Sequence, residues 1–184
     1  MKKIFFLIFA YCAFSTSVAH CGSAEELNNA VFYSNRGVSK AQARNYEGAI
    51  ADYEKAISFN PNDAGVYYNR GIAKAKMNDY KGAIVDYTKA ISINPNDADA
   101  YSARGAVKNG LGDDAGAMED WNKAISVDPN SGEAYYNRGR IKFMLHDQKG
   151  ALQDLEIAKN IFWAQKSQSR YEQTVKVINM YSAR

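Results

Sequence analysis

Apolar and small residues recur along this chain at helical spacing, and the recurrence itself repeats. In one stretch they fall at Ala49, Ile50, Tyr53, Ala56 and Ile57, which share one face of a helix. The pattern predicts a helix over roughly 46–59, preceded by another over roughly 33–43. Asn60-Pro61-Asn62-Asp63 stops the second helix, because proline cannot continue it and pushes the residue before it out of the α region. Asn62 or Asp63 can then cap the next helix. Asn94-Pro95-Asn96-Asp97 and Asp128-Pro129-Asn130-Ser131 stand ready for the same task.

The prolines lie 34 residues apart, and a whole block keeps step with them. Gly37, Gly71, Gly105 and Gly139 follow that spacing, as do Gly48, Gly82, Gly116 and Gly150. So do Tyr33, Tyr67, Tyr101 and Tyr135. A fixed period of this size marks a stack of helix pairs, each too small to bury its apolar face alone. Four units follow: 30–63, 64–97, 98–131 and 132–165. Glycine inside a helix costs about 1 kcal/mol against alanine, which is tolerable where a neighbouring helix must come close. Ala49 and Ala56 fit the same close approach, and the large residues fill the core: Tyr33 with Tyr53, Tyr67 with Tyr87, Tyr101 with Trp121.

Each unit also carries an arginine, at Arg36, Arg70, Arg104 and Arg138, and an acid sixteen residues later, at Asp52, Asp86, Asp120 and Asp154. Antiparallel helices would bring these together as four ion pairs. Lys40, Lys74, Lys108 and Lys142 sit one turn after each arginine on the same face and are expected to be solvated, a basic ligand stripe being the rival reading. Beyond the repeats, Tyr171, Val175, Ile178 and Tyr181 predict an amphipathic helix within 166–184 that covers the last unit's open flank. Docking a partner is the rival use of that helix.

On these residues the chain resembles the tetratricopeptide repeat family. The family's pattern of aromatic, Gly, Ala, aromatic, Ala and Pro is met by Tyr33, Gly37, Ala49, Tyr53, Ala56 and Pro61. It is met again by Tyr67, Gly71, Ala83, Tyr87, Ala90 and Pro95, and by Tyr101, Gly105, Ala117, Trp121, Ala124 and Pro129. The fourth unit keeps Tyr135, Gly139, Ala151 and Ala158, with Leu155 for the second aromatic and Trp163 in place of proline. The resemblance implies an all-α fold, a right-handed α-solenoid of antiparallel helix pairs with a C-terminal capping helix. It also implies a concave groove, lined by the first helix of each pair, that holds a peptide or protein segment. The matching positions are Asn35, Val38, Tyr68, Asn69, Ile72, Ser102, Tyr136, Asn137 and Arg140. Asparagine offers both donor and acceptor to a peptide backbone, and tyrosine supplies rigid amphipathic area. One variant of the family clamps a C-terminal carboxylate with Lys, Asn and Arg. Here Asn69 matches its asparagine, but Ser34, Val38, Asp99 and Ala103 stand where its cations would be, so that clamp is not expected.

The first residues differ from the rest. Lys2 and Lys3 precede an apolar run over 4–14, and Ser17-Val18-Ala19 fits a small-x-small cleavage site. This is the pattern of a secretory leader over 1–19, which implies an exported, periplasmic or secreted protein with a flexible segment over 20–29. Cys21 gives a rival reading, a lipid anchor, although His20 stands where such leaders carry a small residue. An uncleaved anchor would need roughly 20 apolar residues, more than this run supplies. Cleavage would leave 21 basic and 20 acidic residues, a net charge of +1. That near-neutral balance argues against nucleic acid as partner. It also removes Cys12, so no internal disulfide can form. His20 and His146 are the only histidines, and no catalytic set, metal-ligand spacing or phosphate-binding glycine loop occurs. The expectation is a protein without cofactor or metal that is no enzyme, binds a protein or peptide, and alternatively self-associates.

Overall fold

Pairs of helices follow one another along the chain. The computed structural model describes residues 23–183. The expected leader, its cleavage point and Cys21 lie outside them. The pairs are α1 (Ala24–Gln42) with α2 (Tyr46–Phe59), α3 (Ala64–Lys76) with α4 (Tyr80–Ile93), α5 (Ala98–Gly110) with α6 (Asp114–Val127), and α7 (Gly132–Met144) with α8 (Gln148–Ala164). A last helix, α9 (Gln168–Ser182), packs on α8. Each helix packs mainly on its neighbours in sequence, which is the α-solenoid expected from the period.

One expectation on boundaries changes. The segment before residue 30 was expected to be flexible, yet α1 starts at Ala24. Ser23 Oγ accepts from the Glu26 N–H, and the Glu26 carboxylate accepts from the Ser23 N–H at 2.7 Å, so a capping box starts the helix early. At the other end α8 runs three residues longer than the second helices before it, because Trp163 replaces the proline that stops them. Of the two candidate caps, Asp63 caps α3 through the N–H groups of Gly65 and Val66.

The first helix of every pair ends on a residue in the left-handed region: Arg44, Asn78, Gly112 and His146, with φ of 59°, 65°, 85° and 65°. Only one of the four is glycine, which adopts that conformation without cost. His146→Gly is therefore expected to raise stability by roughly 0.5 kcal/mol, read as a higher urea midpoint at unchanged slope. An unchanged midpoint would mean that the histidine is unstrained there.

The core lies between the two helices of each pair and between pairs. Ala49, Ala56, Ala83, Ala90, Ala117, Ala124, Ala151 and Ala158 are fully buried. Beneath the repeated glycines lie the large side chains: a Cβ at Gly71 would stand 2.7 Å from the Tyr87 ring, and one at Gly105 2.8 Å from Trp121 Nε1. Leu155 takes the same place in the last pair, against Gly139.

All four Arg–Asp pairs form. Arg70 Nε and Nη2 donate to the two oxygens of Asp86 at 2.9 and 2.6 Å, and the other three arginines do likewise. The lysines are not solvated as expected. Lys40, Lys74, Lys108 and Lys142 each reach the same carboxylate at 2.7–2.9 Å. A buried carboxylate shared by two cations has more acceptor capacity than one guanidinium fills, and the lysine one turn on takes up the remainder. Around Asp52 the Arg36 bonds, and then Lys40, hold the carboxyl well below the usual range. Each arginine also lies over the tyrosine three residues before it, at 5.0–5.7 Å. Arg104 Nη1 and Arg138 Nη1 donate further, to Thr88 and Asn122 of the preceding pair.

Candidate peptide-binding groove

The expected groove residues sort into two hollows. Val38, Asn69 and Ile72 meet in the first, between α1 and α3, beside Gln42 and Lys76. Tyr68, Ser102, Tyr136, Asn137 and Arg140 meet in the second, along α3, α5 and α7. Asn35 joins neither and lies exposed on α1. The amides of Asn35, Asn69 and Asn137 make no hydrogen bond among the described residues, so they are not spent on tying neighbouring repeats together.

Burial changes the part that two of these residues can play. Ser102 is 7% exposed and Tyr136 5%. Tyr136 packs with Leu155, Ala158, Phe162 and Tyr181, so its ring belongs to the core and only its edge reaches the hollow. Tyr68 stays half-buried, with its ring 5.9 Å from that of Tyr87.

Four further polar residues line the second hollow, Asp99, Glu133, Arg170 and Gln173, with Ala103 and Ala106 between them in sequence. Asp99 and Glu133 share one repeat position in the first turn of α5 and α7. Asp99 stands at a position where the family's clamp variant carries a groove cation, and the 34-residue spacing extends that position to Glu133. Arg170 and Gln173 come from α9, which both caps the last pair and walls the groove. Capping is seen in the stacking of Tyr181 on Phe143 at 3.5 Å and in the full burial of Thr174. The groove wall is fixed by Arg170 Nε, 2.6 Å from Glu133.

The hollow is polar and of mixed sign. Burial, with the fields of Asp99 and Asp97, pushes the Tyr68 phenol up to about 12. Burial and the neighbouring Asp97 and Asp128 raise the Asp99 carboxyl above its usual range. Burial likewise raises Glu133, against the pull of Arg170. Arg140 is exposed, with its guanidinium over the Tyr136 ring at 5.8 Å. Hydroxyls, an amide and charges on a rigid helical wall suit recognition of a polypeptide. Among the described residues no group of acids, histidines and cysteines could hold a metal ion, and no helix is long and apolar enough to cross a membrane.

Known proteins place this geometry. The family described as tetratricopeptide repeat matches residues 64–97 and 121–153, and that described as TPR repeat matches 41–78. No curated protein matches the chain. Among solved structures, MamA is 24% identical, with a TM-score of 0.69 over 76% of this chain and 82% of that one. The Arabidopsis OM64 TPR domain is 24% identical, with a TM-score of 0.63 over 65% of this chain and 98% of that one. The first TPR of Spaghetti (RPAP3), solved bound to the HSP90 peptide SRMEEVD, is 25% identical, with a TM-score of 0.63 over 65% of this chain and 95% of that one. With the repeat period, the helix pairs and three separate matches in agreement, this chain belongs to the tetratricopeptide repeat family, whose fold serves protein interaction.

Proposed function

We propose that the protein is a non-enzymatic adaptor of the cell envelope that holds a peptide or protein segment in its concave groove. The observation that carries this reading is the second hollow, where five of the nine expected groove residues converge with Asp99, Glu133 and Arg170. The peptide held by the first TPR of Spaghetti supports the class of ligand. The basic, apolar and small-residue succession over 1–19 supports export.

Capture from cell-envelope extract tests the reading. The bait is compared with an Asn137→Ala, Arg140→Ala variant, since both side chains reach the groove and neither belongs to the core. A partner held by the first and weakened about tenfold or more by the variant is the expected result. Equal capture by both baits would place binding outside the groove.

Self-association is the second reading, and Phe32 favours it. Its equivalents Val66, Ala100 and Ala134 are 2%, 0% and 0% exposed because a preceding pair covers them, whereas Phe32 is 56% exposed. A bait that captures nothing, and whose mass rises with concentration, would establish that reading instead.

A further inference from the structure

Asp99 is the carboxylate in the second hollow that has no counter-charge. Among the described residues it makes no ion pair, whereas Glu133 beside it is held by Arg170 at 2.6 Å. Asp97 and Asp128 stand close enough to act on its carboxyl, and partial burial disfavours its charge further. The two cations of the hollow do not relieve it: Arg170 serves Glu133, and Arg140 lies over Tyr136 with its other side to solvent. A carboxylate placed in this way gains more from an arriving cation than one free in water.

The hydroxyls around it are also unspent. Tyr136 is 5% exposed and Ser102 7%, yet neither side-chain hydroxyl makes a hydrogen bond among the described residues. No fully enclosed side-chain nitrogen or oxygen there lacks a partner, so neither hydroxyl is sealed off, and both residues line the hollow. Side chains this deeply packed, lining one hollow with hydroxyls that no protein group uses, form a built site rather than a solvated surface. The half-buried ring of Tyr68 adds an aromatic wall beside Asp99, a surface that attracts cations.

Resting on the groove reading above, we propose that the second hollow selects a polypeptide segment bearing an arginine or lysine side chain, with Asp99 as its counter-charge. The cationic end meets Asp99, the aliphatic stem lies along Tyr68, and the Ser102 and Tyr136 hydroxyls bond the segment's backbone. Arg140, at the far end of the hollow, opposes a second basic residue there and so limits the register. Acidic segments are disfavoured, because Asp99 and Glu133 line the hollow and the charge of Asp97 acts on it from close by.

A random-sequence peptide library displayed on phage tests this on the full chain. Peptides recovered on the wild type are expected to be enriched in arginine or lysine over the starting library. Their affinity, measured by fluorescence anisotropy, should fall about tenfold on Asp99→Asn and weaken as salt is raised. Asp99→Lys should shift the recovered sequences toward aspartate and glutamate. Asp99 lies in the first turn of α5 at the edge of the hollow and outside the core, so neither change threatens the fold, and circular dichroism checks this. Peptides without basic enrichment, or indifferent to Asp99→Asn, would overturn the selectivity while leaving the groove intact if Asn137→Ala, Arg140→Ala still weakens them. Failure of that variant to weaken any recovered peptide would overturn the groove reading itself.

Discussion

Trp121→Ala is expected to remove about 4 kcal/mol of stability, the largest loss from any single truncation in the chain. The indole is 1% exposed and lies in one core with Ala117, Ala124, Ala134 and Ile141. Its N–H donates to the Ser102 carbonyl at 3.2 Å, so truncation both opens a cavity and removes a buried hydrogen bond. Gly105 lies against the ring and has no side chain to fill the space. Because a solenoid is coupled only through neighbours, the damage should centre on the third pair, with its effect falling away on both sides. Hydrogen exchange would show this as faster exchange in α5 and α6 than in α1 and α2. Uniform loosening of all helices would mean that the stack unfolds as a single unit.

Asp86→Ala is expected to cost about 3 kcal/mol, which is more than its own packing explains. The carboxylate is 1% exposed and holds two cations, Arg70 and Lys74, whose side chains are 16% and 19% exposed. Removing it leaves two like charges facing each other over a dry floor. Asp86→Asn should be milder, because an amide oxygen still accepts one bond. The decisive comparison combines Asp86→Leu with Arg70→Met and Lys74→Leu. Removal of all three charges should recover much of the loss in urea unfolding, since the cost lies in orphaned charge. A triple variant as unstable as Asp86→Ala would show that the ion cluster itself stabilises the fold.

The helix pairs, their stops and the arginine–aspartate partners were legible in the sequence because each is a local rule repeated at one period. Gly71 and Tyr87, or Arg70 and Asp86, announce each other by recurring together. The lysines reach the aspartates although spacing predicts them solvated, because spacing gives the face of a helix and not the reach of a flexible side chain toward an acid with spare acceptor capacity. The early start of α1 was written in Ser23 and Glu26, a capping box that the repeat pattern does not contain. The groove was half legible. Tyr68, Asn137 and Arg140 are groove positions implied by the family resemblance, whereas Arg170 belongs to the non-repeating α9, and its position over Glu133 depends on how that helix docks. Tyr136 lines the second hollow but packs with Leu155, Ala158, Phe162 and Tyr181, a burial that helical spacing alone does not show.

The two hollows meet at α3, Val38 with Asn69 and Ile72 in one, Tyr68 through Arg140 in the other. A short peptide can engage one of them. A client long enough to lie in both is tethered at the first while it samples the second, so its second contact is made at a high local concentration. The avidity of such a client would exceed what either hollow supplies, and fragment-by-fragment measurements on isolated peptides would understate it. Span, as much as sequence, then becomes a property by which this protein tells one chain from another.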